Sequence, residues 1–189
     1  MKSVINNINE TIIKKSKFIS IIFQINKIND VNKKLEEVKK MYKDATHYCY
    51  AYIINNQEKC YDDGEPSGTA GIPILNVLKK ENVNNVLCII IRYFGGIKLG
   101  AGGLIRSYSK ACKNSLKIIK LNQGYSIKVT FEYSNAKHID YLLKDTIIID
   151  KHYNNQTIYY LKITKEQYNI VISKLEKLSK VEITENIFF

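Results

Sequence analysis

Eight of the nine glycines in this 189-residue chain fall between Gly64 and Gly103, and both prolines, Pro66 and Pro73, lie in the same window. Glycine adopts backbone conformations that other residues avoid, so special geometry is confined to one central stretch. The chain on either side is left to regular elements. The window holds two segments of unusual composition. One is Asp62-Asp63-Gly64-Glu65-Pro66-Ser67-Gly68-Thr69-Ala70-Gly71, and the other is Gly95-Gly96-Ile97-Lys98-Leu99-Gly100-Ala101-Gly102-Gly103.

Around these segments, hydrophobic spacing predicts the elements. Residues 17–25 read as a strand. Ile28, Val31, Leu35, Val38 and Met41 recur at helical spacing behind an Asn29/Asp30 cap. Residues 47–54 read as a strand, Asn55-Asn56 as a turn, and residues 58–61 as the hairpin partner. Residues 72–80 predict a helix with Ile74, Leu75 and Leu78 on one face. The unbroken apolar run 86–91 predicts a strand buried on both sides. Leu104, Ile105, Tyr108, Ala111, Cys112, Leu116 and Ile119 form a helical stripe.

Near Asn122-Gln123-Gly124 the pattern restarts. Tyr125, Ile127, Val129, Phe131 and Tyr133 alternate with polar residues, as in a strand with one buried face. Ser134 predicts a cap for a helix bearing Ile139, Leu142 and Leu143. Residues 146–153 and 157–163 read as strands joined at Asn154-Asn155. Thr164 caps a helix with Val171, Leu175 and Leu178, and residues 181–188 close as a strand. The order β-α-β-β-α-β is the ferredoxin-like arrangement. The expectation is an α+β protein with an N-terminal domain, 1–121, and a ferredoxin-like C-terminal domain, 122–189.

Charge separates the same two regions. Residues 1–120 hold 20 cations and 10 anions, whereas residues 121–189 hold 9 and 8. A compositional drift toward Lys acts on both alike, so the asymmetry points to a polyanionic partner for the first region. With 45% apolar and 25% charged residues, the chain is neither disordered, collagen-like nor a disulfide knot. Cys49, Cys60, Cys88 and Cys112 form no C-x-x-C pair, and three lie in apolar stretches, as reduced thiols of a cytoplasmic protein do. The longest apolar run is too short to span a bilayer and no signal peptide is recognisable, so no membrane partner is expected.

Each glycine-window segment carries alternative chemistry. Gly95–Gly103 follows a buried strand and opens a helix, where free N–H groups meet anions. It departs from the Walker loop, because Ala101-Gly102 stands where Lys-Ser/Thr is needed. It departs from the dinucleotide fingerprint at Ile105. Arg92, Lys98 and Arg106 surround it, so it reads either as a phosphate or RNA-backbone contact or as a tight structural turn. Asp62, Asp63 and Glu65 read either as a cation or acid/base site or as helix-capping groups. Ser67 misses the nucleophile-elbow spacing by one position. His47 is a base paired with Asp62 or Asp63, or a half-exposed structural histidine. No metal-ligand spacing joins His47, His138 and His152, and neither metal nor cofactor is expected. Tyr48, Tyr50 and Tyr52 share one strand face, most simply the core face, whereas Tyr93-Phe94 is the better surface candidate.

These motifs resemble the signature of the YigZ/IMPACT family. The resemblance rests on the acidic segment from Asp62 to Gly71, on Ile74-Leu75, Leu78, Val83 and Ile89-Ile90, on Arg92-Tyr93-Phe94-Gly95-Gly96, and on Leu99-Gly100 through Arg106. It implies a first domain with the fold of domain IV of elongation factor G, an α/β sandwich, and a second domain like domain V of that factor. Eukaryotic IMPACT proteins carry an additional N-terminal interaction domain and regulate translation by blocking activation of an initiation-factor kinase. The present sequence is expected to have the two-domain bacterial layout. Together these readings give a non-catalytic nucleic-acid- or ribosome-binding protein linked to translation. Its phosphate-facing set is Arg92, Tyr93, Gly95, Gly96, Lys98, Gly100, Gly102, Gly103 and Arg106. His47, Asp62, Asp63, Glu65 and Ser67 form a family-motif site of unassigned role. The alternatives are an enzyme using the acidic segment with the glycine loop, and a module that binds a translation-regulatory protein.

Overall fold

The computed structural model describes residues 2–189 of the chain. Its first unit, residues 2–120, runs β1 (Lys2–Val4), β2 (Asn7–Ile13), β3 (Ser16–Gln24), α1 (Asn29–Met41), β4 (His47–Ile54), β5 (Gln57–Tyr61), α2 (Gly71–Glu81), β6 (Val86–Tyr93), α3 (Ala101–Ser115) and β7 (Ile118–Lys120). Five strands make one antiparallel sheet in the order β2-β3-β6-β4-β5. Side chains alternate across a strand, and here both faces are covered. In β6, Val86, Cys88 and Ile90 pack with Ile74 and Leu78 of α2 and Tyr108 and Cys112 of α3. The intervening Leu87, Ile89 and Ile91 pack with Val31 and Val38 of α1. Burial on both sides is the reason this run is apolar without interruption. Tyr48, Tyr50 and Tyr52 lie on the α1 side, as core.

Turn chemistry joins the strands. Asn55 and Asn56 both have positive φ, the requirement of the tight turn between β4 and β5. Lys14 and Lys15 also have positive φ and join β2 to β3. A Lys-Lys pair lacks the Asn-Gly signature of such turns, and β2 accordingly leaves no clear mark in the sequence. β1 and β7 form a separate two-stranded ribbon in which Lys2 lies opposite Lys120.

The second unit, residues 121–189, runs β8 (Gln123–Phe131), α4 (Ala136–Leu142), β9 (Ile147–Tyr153), β10 (Thr157–Thr164), α5 (Lys165–Leu175) and β11 (Lys180–Phe188). The antiparallel order β11-β8-β10-β9 is the ferredoxin-like one. Ile127, Val129 and Phe131 of β8 join Tyr159, Leu161 and Ile163 of β10 beneath Ile139, Leu143 and Leu175. The chain is thus α+β, with helices on both faces of one sheet and on one face of the other.

Three expectations need correction. The helix near residue 29 begins at Asn29 itself, with Ile28 at the cap position and no side-chain cap bond. Ser134 sits in a 3-10 turn, Tyr133–Asn135, rather than capping a helix. The predicted helical stripe to Ile119 breaks where Leu116 turns extended, and Ile119 pairs with Ser3. The apolar spacing continues across the break because Ile119 of β7 is half-buried, although Ile118 and Lys120 are exposed. Thr164 does cap α5. Its hydroxyl accepts the Gln167 N–H at 3.2 Å while the Gln167 side chain accepts the Thr164 N–H at 3.0 Å. Thr164→Ala is expected to cost about 1 kcal/mol, with Thr164→Asn keeping most of the stability, as read by urea denaturation of the whole chain.

Candidate functional site

The acidic segment lies between β5 and α2, and each of its carboxylates is spent on backbone or side chains nearby. The Asp62 carboxylate accepts N–H groups at the start of α2. Oδ1 takes Ala70 at 3.0 Å and Gly71 at 2.8 Å, and Oδ2 takes Gly68 at 2.9 Å. Partial burial pushes the Asp62 carboxyl up, but the Gly68, Gly71 and Ala70 donors together outweigh it and hold its pKa below the ordinary 3.8. Asp63 takes a positive φ of 45° and accepts the Tyr48 N–H on Oδ2 at 2.7 Å. Gly71 is required where it stands, since a Cβ there would lie 2.7 Å from the Tyr61 nitrogen.

Glu65 turns inward. Its Oε1 accepts from Arg92 Nη1 at 2.6 Å and from the Tyr108 hydroxyl at 2.7 Å. Glu65 and Arg92 are 8% and 5% exposed. Arg92 also donates to Ser16 Oγ at 3.3 Å, and its guanidinium lies between the rings of Phe18 and Phe94. Arg92 is therefore corrected from a phosphate-facing cation to the internal partner of a carboxylate. His47 does not meet the carboxylate of Asp62 or Asp63. Its Nδ1 lies 2.7 Å from the Asp63 carbonyl, which can only accept, so Nδ1 carries the proton. Nε2 is left 3.8 Å from Glu65 Oε1. The Cys49 thiol donates to the Asp62 carbonyl at 2.9 Å and lies 3.3 Å from the Tyr108 hydroxyl. Burial pushes this thiol up, so it stays protonated and is no nucleophile at neutral pH.

The glycine loop joins β6 to α3. Gly95 is its anchor. A Cβ there would come within 2.0 Å of the Lys15 carbonyl carbon, and the Gly95 N–H donates to Ser16 Oγ at 3.2 Å. Tyr93 is also held, its hydroxyl donating to the Lys43 carbonyl at 3.1 Å. Gly103 packs beside Leu99. Gly96 and Gly100 have φ of 82° and 70° and open space where a side chain would be. Gly100 precedes α3, which has no side-chain cap and no acidic residue in its first turn. Gly102, Lys98 and Arg106 are exposed. A Cβ on Gly102 would lie 3.4 Å from Arg106 Nη1, so the guanidinium lies back over the first turn of the helix. Ser67 is exposed as well.

The structure thus sorts the motif residues. Asp62, Asp63, Glu65, His47, Arg92, Tyr93, Gly71 and Gly95 build the loops, while Ser67, Gly96, Lys98, Gly100, Gly102 and Arg106 remain at the surface. Sequence reasoning overlooked Lys110 and Lys113. These follow Arg106 at helical spacing, and between Glu81 and Glu132 the chain carries eight cations and no carboxylate. Among the described residues, no cluster of His, Cys, Asp and Glu could hold a metal ion, all four cysteines are free, and no helix is long and apolar enough to cross a membrane.

Comparison with known proteins places these features. Residues 14–116 match the Impact N-terminal domain. The IMPACT family member YvyE of Bacillus subtilis is 34% identical over 168 residues, covering 85% of this chain and 77% of that one. The IMPACT family member YigZ of Escherichia coli is 36% identical over 110 residues, 56% of this chain and 54% of that one. The human protein IMPACT is 42% identical over 73 residues, only 22% of its length. A crystal structure of a hypothetical protein superposes with a TM-score of 0.60 at 25% identity, over 97% of each chain.

Removing Glu65 strands a buried cation. Glu65→Ala is expected to cost about 3–5 kcal/mol, and Glu65→Leu combined with Arg92→Met to recover most of it, as measured by denaturant unfolding. Asp62 sets a pH signature. Its folded pKa is depressed, so its contribution is complete above the unfolded value of 3.8 and fades as the pH falls through the folded one. The stability gap between wild type and Asp62→Asn is expected to be widest above about pH 4 and to close below it, in unfolding curves taken across pH.

Proposed function

The chain belongs to the YigZ/IMPACT family, and on that premise we propose that it is a non-catalytic, translation-linked protein that contacts RNA phosphates, on the ribosome or free, through the glycine loop and α3. The observation that carries the reading is the row Lys98, Arg106, Lys110 and Lys113. All four are exposed. None of them makes an ion pair or a hydrogen bond among the described residues, whereas Arg92 pairs with Glu65 and Lys79 with Glu58. Unpaired cations on one helix face and in the loop before it, beside an uncapped helix start that Arg106 overlies, favour phosphate groups. The non-catalytic part rests on the acidic segment, whose three carboxylates already serve Gly68, Ala70, Gly71, Tyr48, Arg92 and Tyr108. The family supplies the link to translation, since its eukaryotic members regulate that process.

The test is binding to ribosomes and to ribosomal RNA across a salt series. Lys98→Ala/Arg106→Ala is expected to weaken binding and to flatten the logarithmic salt slope by about 1.4, the loss of two single-strand phosphate contacts. Equal binding by wild type and variant would reject the reading.

A further inference from the structure

α2 and α3 lie side by side on one face of the first sheet, and a groove runs between them. At one end it is a cleft of about 280 Å³ lined by Ile72, Pro73, Val77, Ile105, Lys80 and Ser109. A second cleft of about 270 Å³ shares Val77, Lys80 and Ser109 and continues to Lys110 and Lys113. From Ile105 to Asn114 the groove follows α3 for about 14 Å at the helical rise. Ile72 and Ile105 are 49% and 42% exposed although both belong to amphipathic helices with filled cores.

We propose that this groove docks an acidic amphipathic helix of a partner protein. Three properties of the lining identify the occupant. Its floor is aliphatic, which suits the apolar stripe of a helix laid into a groove. Its cations, Lys80, Lys110 and Lys113, face a single carboxylate, Glu81, so carboxylates flanking that stripe meet complementary charge. Neither cleft is lined by an aromatic ring, and rings are what single-stranded RNA uses for stacking. The acidic segment frames the groove mouth. Gly68 lines it with a φ of 75°, and a Cβ there would touch Ile72 Cδ1 at 3.5 Å. The groove shares Lys110 and Lys113 with the proposed RNA-facing row, so a protein segment and RNA compete for those two cations, while Ile72, Val77 and Ile105 belong to the groove alone.

The test uses a fluorescent helix-forming peptide of about 14 residues with Leu at i, i+4, i+7 and i+11, a stripe of about 16 Å that spans the groove, and Glu at the flanking positions. A second peptide carries Gln in place of each Glu, and oligo(U) serves as the RNA probe. Each is titrated into the whole chain at physiological salt. The Glu peptide is expected to saturate in the micromolar range and the Gln peptide to bind at least about tenfold more weakly. Lys110→Glu/Lys113→Glu and Ile105→Asp are each expected to weaken the Glu peptide at least about tenfold. Lys165→Glu/Lys174→Glu, an equal charge change in the second unit, leaves it unaltered. All substituted positions are exposed, and circular dichroism verifies the fold. No saturation in the millimolar range, equal binding of both peptides, or equal binding by the charge-reversed variant would overturn the proposal. If Lys110→Glu/Lys113→Glu abolished oligo(U) binding alone, the groove would belong to RNA.

Discussion

A buried carboxylate holding a buried guanidinium is the tie on which the first unit depends. Glu65 belongs to a loop, and Arg92 to the central strand of the sheet. Both charges are almost wholly withdrawn from water, so each is tolerable only because of the other. The pair draws the acidic loop over the end of β6, and the same guanidinium holds Ser16, which in turn receives Gly95. Three segments far apart in sequence are thereby fixed by one hydrogen-bonded group. Tyr108 adds a fourth, because its hydroxyl donates to the same carboxylate oxygen from α3. The network adds a polar tie to the apolar packing of Leu104, Tyr108, Ala111 and Cys112 that seats α3, the helix from which Arg106, Lys110 and Lys113 project.

That arrangement changes how the family motif is understood. Most of its polar residues are internal fasteners, and the chemistry they suggest is already satisfied within the fold. Asp62 caps a helix, Asp63 holds a strand start, and Glu65 neutralises Arg92. The residues left without internal work are small or cationic and, apart from Ser67 in the acidic segment, lie on α3 and the loop before it. A surface that presents charge without pairing it is suited to recognition.

The sequence was legible where burial sets a period. The uninterrupted apolar run of β6, the alternation of β8 and β10, and the Thr164–Gln167 capping box all announce themselves, because two covered faces, one covered face and a reciprocal cap leave distinct patterns. β2 was not legible, since Lys14-Lys15 supplies a turn usually made by Asn and Gly. The end of α3 was hidden because apolar residues continue on the helical spacing into β7. The role of Arg92 could not be read either. An arginine beside a glycine loop has the same local sequence whether it faces a ligand or a carboxylate 27 positions earlier. Only the third dimension distinguishes the two.

The ribbon of β1 and β7 has a consequence for architecture. Lys2 and Lys120 face one another across it, so the first unit begins and ends at one point on its surface. A unit with adjoining ends occupies a single attachment site in any longer polypeptide and can be spliced into one without rearranging its interior. Such a unit travels readily between proteins of different length and keeps its internal fasteners while its companions change.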